Sequence, residues 1–171
     1  GSGSTETVLA GIDWVAQNRI RPAVANLSLG GGYSDVVNLA VENLVAAGVT
    51  VAVAAGNSAT YACAFSPASA PSALTVAATD RTDAQASYSN FGACVDLYAP
   101  GSSIPSAWYT TDTTYMVGSG TSMAAPHVSG ALALLRAQFP TDSSQRLINR
   151  VLNSTRTITA RRHDRLPLGS S

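Results

Sequence analysis

Apolar and polar positions along the chain follow two periods. Val8, Ile12 and Val15 recur at helical spacing, flanked by Leu9 and Trp14, and predict an amphipathic helix over residues 8–18. Residues 36–47 predict a second helix, with Gly48 as its C-cap. The longest helical pattern covers residues 122–136, and a last short helix follows over 142–153. Short apolar runs at 24–29, 49–55, 74–78 and 95–99 predict strands. The run at 49–55 is almost unbroken, as expected for a strand covered on both faces. Strands alternating with helices predict an α/β fold, a mostly parallel central sheet between two helical layers. Ligands in such folds sit beyond the carboxyl ends of the strands. The glycine-rich stretches at 30–32 and 56–57 fall there, and the Ser/Pro/Ala run at 66–73 reads as a loop.

Composition narrows the classes. The chain has 171 residues, 46% apolar and 12% charged, which describes a globular protein rather than a disordered or nucleic-acid-binding one. All ten basic residues are arginine. Four of them, Arg156, Arg161, Arg162 and Arg165, fall in residues 155–171 against the single acid Asp164, so this stretch is expected to be a divergent basic tail behind a domain of residues 1–154. No apolar run reaches about 18 residues, so no membrane span is expected. Cys63 and Cys94 allow one disulfide, and their spacing alone does not separate a bridge from two buried thiols.

Two places carry candidate chemistry. Ser122 follows Gly118-Ser119-Gly120-Thr121 and opens the longest helix. A serine there lies beside unpaired backbone N–H groups that can stabilise an oxyanion, and it can equally be an N-cap. Asn57 ends a strand, where its amide is either an oxyanion donor or a turn residue. A nucleophilic serine needs a base, and the chain has only His127 and His163. His127 follows Ser122 by five positions, about 140° around a helix and about 7.5 Å along it. Hydrogen-bond reach is about 3 Å, so His127 is a poor base for this serine and fits an interior or supporting role better. His163 lies in the basic tail.

Three segments together resemble the subtilisin-like serine proteases, closest to the proteinase K-like branch: Asn26-Leu27-Ser28-Leu29-Gly30-Gly31, Ala54-Ala55-Gly56-Asn57, and Gly120-Thr121-Ser122-Met123-Ala124-Ala125-Pro126-His127-Val128-Ser129-Gly130. The resemblance implies a subtilisin-like three-layer fold and endopeptidase chemistry through an acyl-enzyme. It makes Ser122 the nucleophile and Asn57 the side-chain oxyanion donor. Ser28, Leu29 and Gly30 become the edge that pairs with a peptide or protein substrate, and Gly1, Ser2, Gly3 and Ser4 the opposite wall. Ala54, Ala55 and Gly56 become part of a pocket for an apolar or aromatic P1 side chain. His127 matches a motif histidine that is not the general base.

The resemblance also implies a Cys63–Cys94 disulfide, a secreted monomer and no catalytic cofactor. It places a structural calcium at Asp96 with the carbonyls of Pro71 and Ala73, where an aspartate fixing a local turn is the alternative. In this family the aspartate and histidine of the triad precede the serine. Neither of their segments is present in the chain, so the N-terminal portion of the domain is expected to be missing and the chain alone nearly inactive. The competing expectation is a non-catalytic fragment that keeps the peptide-binding edge. A phosphate-binding role for the glycines at 30–32 is set aside, since no Gly-x-Gly-x-x-Gly or Lys-Ser/Thr motif follows a strand.

Overall fold

The computed structural model describes residues 2–158. Four parallel strands, β1 (Ala23–Leu27), β3 (Val49–Ala54), β5 (Leu74–Thr79) and β6 (Leu97–Pro100), form the central sheet in the order β1-β3-β5-β6. Helices α1 (Thr5–Asn18) and α2 (Asp35–Ala46) cover one face; α3 (Thr121–Gln138) and α4 (Ser144–Asn153) cover the other. Alternation along β3 explains the layers. Val49, Val51 and Val53 pack with Ile12, Val41 and Leu44. Ala52 and Ala54 point the other way, into the cluster of Ala124, Ala125, Val128, Leu132 and Leu147. Every residue of β3 is buried, which bears out the reading of a strand covered on both faces.

The helix boundaries shift for local reasons. Helix α1 begins at Thr5, three residues ahead of its apolar pattern, because Ser4 and Thr7 cap each other: Ser4 Oγ accepts from Thr7 N–H and Thr7 Oγ1 from Ser4 N–H. Ala47 is the C-cap of α2, and Gly48 follows it at φ 91°, where a glycine is favoured. Helix α3 runs on to Gln138, two residues past its pattern.

Four short strands were not legible in the pattern. Strand β2 (Gly31–Gly32) pairs antiparallel with β4 (Phe65–Ser66), and β7 (Ile104–Ala107) forms a hairpin with β8 (Tyr115–Gly118). Of the basic tail, only residues 155–158 are described, and Arg156 pairs there with Asp83. Arg161, Arg162, His163 and Arg165, like Gly1, lie outside the described residues. Among the described residues no helix is long and apolar enough to cross a membrane.

Candidate active site

Ser122 is the second residue of α3, and the N-cap is Gly120. The expected alternative, a capping serine, therefore does not hold. The first turn distributes its amides unevenly. Thr121 N–H goes to Asn57 Oδ1 at 2.8 Å, while Met123 and Ala124 N–H go to the Gly120 carbonyl. Ser122 N–H is left as the unpaired donor of this turn, beside its own hydroxyl. Pro126 has no N–H for the carbonyl four residues back, which is that of Ser122. Ser28 Oγ supplies the missing bond, donating to Ser122 O at 2.8 Å. The same hydroxyl accepts from Asn26 Nδ2, and Asn26 Oδ1 accepts from Ser129 Oγ. The proline that marks the motif thus creates the acceptor that docks α3 onto the end of β1.

Asn57 follows the end of β3. Its Oδ1 accepts from both the N–H and the hydroxyl of Thr121, at 2.8 and 3.0 Å. Committing the oxygen to Thr121 leaves the NH₂ end as a donor on the cleft that Asn57 and Ser122 both line. Thr121 is fully buried, and its Oγ1 also accepts from Gly56 N–H at 3.0 Å. Behind the loop stands Asn90, also fully buried. Gly56 adopts φ 103°, and a Cβ there would lie 2.3 Å from Asn90 Nδ2, so only glycine fits. Sequence reasoning passed over Thr121 and Asn90. Adjacency to Ser122 was a signal for the first; nothing in the Ser-Asn-Phe-Gly stretch marked the second.

A cleft of about 330 Å³ opens beside Ser122, lined by Leu29, Gly30, Ala54, Ala55, Phe65 and Ala68, with no charged side chain on its walls. A second groove, about 620 Å³, adjoins it between Ser2, Gly3 and Ser4 on one side and Ser28, Leu29 and Gly30 on the other. Both lie beyond the carboxyl ends of β1 and β3. Of the sequence-predicted site residues, Ser122, Asn57, Ser28, Leu29, Gly30, Ala54, Ala55, Gly56, Ser2, Gly3 and Ser4 therefore surround one continuous depression.

No histidine among the described residues reaches Ser122. Its Oγ donates weakly to Ser28 O at 3.4 Å, while the exposed His127 holds Nδ1 2.8 Å from Met123 O on its own helix. Cys63 and Cys94 form a disulfide, just past the Asn57 loop. Asp96 Oδ2 accepts from Thr75 N–H at 2.7 Å. Partial desolvation pushes its carboxyl above the usual range against the pull of that bond. The described residues contain no cluster of three or more His, Cys, Asp or Glu side chains suited to a metal.

Residues 1–168 match the model of the "Subtilase family". The chain is 54% identical over 152 residues to the extracellular serine proteinase of Thermus sp. (strain Rt41A), covering 89% of this chain and 37% of that protein. It is 52% identical over 135 residues to proteinase T of Parengyodontium album, covering 76% and 45%. The crystal structure of a cold adapted subtilisin-like serine proteinase superposes with a TM-score of 0.86 at 48% identity, over 90% of this chain and 55% of that one. The chain thus spans between a quarter and just under half of the curated relatives it matches. With its profile, its parallel sheet and its serine helix in agreement, this chain belongs to the subtilase family.

Proposed function

We propose that the chain is the serine-bearing part of a secreted subtilisin-like endopeptidase. The observation that carries this reading is the Asn57 amide, whose oxygen is committed to Thr121 on a residue that lines the same cleft as Ser122. In this role Ser122 Oγ attacks the scissile carbonyl, and Asn57 Nδ2 with Ser122 N–H holds the oxyanion. The backbone of Ser28–Gly30 takes the substrate as an added strand. The uncharged cleft with Ala54, Ala55, Ala68 and Phe65 on its walls suits an apolar or aromatic P1 side chain. The general base and its aspartate come from family segments outside these 171 residues, and the chain by itself turns over little or nothing. Secretion accords with the disulfide and with a relative called extracellular.

The same reading keeps 1–154 as the domain and 155–171 as a divergent tail, has the chain act as a monomer, and needs no cofactor in catalysis. It puts a structural calcium at Asp96 with the Pro71 and Ala73 carbonyls, a hard-ion donor set in kind. Its support is the partial burial of Asp96, which disfavours the bare carboxylate and which a bound cation would offset.

The test is the intact mass of the native species with a fluorophosphonate probe in the same sample. A species heavier than 17.4 kDa, labelled at Ser122 and unlabelled after Ser122→Ala, is expected. A native 17.4 kDa species that binds substrate peptide without labelling favours the second reading, a non-catalytic peptide binder. What favours that alternative is the Ser122 hydroxyl itself, which among the described residues donates to Ser28 O rather than to a base.

A further inference from the structure

Asn90 does not itself line the cleft beside Ser122, yet its bonds surround the oxyanion donor. Its Oδ1 accepts from Ser58 N–H at 2.9 Å and from Thr60 N–H at 3.3 Å. Its Nδ2 donates to Ala55 O at 2.8 Å, and its backbone N–H donates to Gly56 O at 2.9 Å. These bonds bracket Asn57 on both sides, at residues 55, 56, 58 and 60. They leave Asn57 itself to Thr121. The main chain of Asn90 is in turn fixed from behind: Ser89 Oγ donates to the Asn90 carbonyl and accepts from Ala78 N–H, inside the sheet.

We infer that Asn90 is a positioning residue for the oxyanion hole. Asn90 sets where the Asn57 backbone stands relative to Ser122, and Thr121 sets how the Asn57 amide is rotated. The two constraints are separate, because Asn90 bonds the main chain on either side and Thr121 bonds the side chain. A preorganised donor works by standing in place before charge develops, and a displacement of about 1 Å costs on the order of 100-fold in rate. Substrate binding draws on the Ser28–Gly30 edge, which Asn90 does not bond, and on a cleft that Asn90 meets only through the main chain of Ala55, Gly56 and Ser58. Loosening the loop should therefore lower kcat by more than it raises KM. The catalytic meaning of this inference rests on the endopeptidase reading; the geometry of the clamp does not.

Two variants test it. Asn90→Ala removes all three side-chain bonds. Asn90→Asp keeps an acceptor for Ser58 and Thr60, but its carboxyl can donate to Ala55 O only while protonated, so the clamp becomes pH-dependent. In the 171-residue chain, amide exchange protection at residues 56–60 should fall at least about 10-fold in Asn90→Ala, and in Asn90→Asp only as pH rises. Protection within α4 should not change. In the native active species the same variants should lose about 10- to 100-fold in kcat, with a smaller change in KM. Unchanged protection at 56–60 in a folded variant overturns the clamp. A loosened loop with unchanged kcat overturns its positioning role and leaves a structural asparagine. If Asn90→Ala does not fold, Asn90→Asp at low pH carries the test. Absence of any native activity refutes the endopeptidase reading, while the exchange result still decides whether Asn90 holds the loop.

Discussion

The two walls of the cleft are both glycine-rich, and they use glycine for opposite reasons. On the loop wall, Gly56 stands at φ 103° with Asn90 packed where a side chain would begin. On the edge wall, a Cβ at Gly31 or Gly32 would meet nothing within 4 Å, and Gly30 would meet only the Ser66 carbonyl at 3.6 Å. The loop wall is glycine because protein already fills the space. The edge wall is glycine and leaves the space open beside the depression. The bonding follows the same division. Asn90 and Thr121 tie the loop through buried side chains, whereas Gly31–Gly32 is held by a two-residue pairing with Phe65–Ser66.

Gly56→Ala should break the comparison most severely. It combines a left-handed backbone cost of about 1–2 kcal/mol with overpacking against a buried amide of about 1–3 kcal/mol. Urea denaturation should show a loss of about 2–5 kcal/mol. Next in effect on the site is Asn57→Leu, which removes both the NH₂ donor and the oxygen that accepts from Thr121. On the endopeptidase reading it should cost about 10²–10³ in kcat in the native active species, the range known for an oxyanion donor of subtilisin, with a smaller change in KM. Opening the disulfide by a double Cys63→Ala, Cys94→Ala change releases a loop with a sequence separation of 31. It should cost about 3–4 kcal/mol if chain entropy dominates, measured by denaturant midpoint with exchange at 56–64 as the local readout. Gly31→Ala, by contrast, should leave stability within about 1 kcal/mol and raise KM, since the added methyl meets substrate instead of protein. Equal damage from Gly31→Ala and Gly56→Ala would erase the distinction between the walls.

Those walls also show what was legible in the chain and what was not. The frame is written in periods: the almost unbroken run at 49–55 fits a strand covered on both faces, and the longest helical pattern carries Ser122. The serine and Asn57 announced themselves through motif. Asn90 did not, because a buried asparagine that satisfies three backbone groups has the same neighbours in sequence as one in an exposed turn. Only folding brings residue 90 against residues 55–60. The hairpin β7–β8 escaped for another reason. Tyr115, Met116 and Val117 are all exposed, so no inside–outside alternation marks them as a strand. Strands β2 and β4 are two residues each, too short for any period. Ser122 is open as a cap in the sequence because side-chain chemistry favours serine at such places; the cap is Gly120, where the close approach of Asn57 Nδ2, 3.3 Å from a Cβ, favours glycine.

The smallest expected effect lies far from both walls and serves as their control. Asp142, just ahead of α4, accepts from Arg150 Nε at 2.8 Å and lies within 3.7 Å of Arg146. The bond to Arg150, with the nearby positive charges, holds its carboxyl below the usual aspartate range. A carboxyl depressed in the folded state favours folding at pH above its unfolded value, about 3.9. That contribution fades as pH falls through the folded value. Asp142→Asn should therefore lower stability modestly at pH 7, and the difference from the parent chain should shrink below about pH 4. Chemical denaturation across that range reads it directly. Because α4 packs on α3 and the sheet rather than on the Asn57 loop, protection at residues 56–60 should not change in this variant. If it did, the loop wall would be sensitive to the general stability of the fold, and its rigidity could no longer be credited to Asn90 and Thr121.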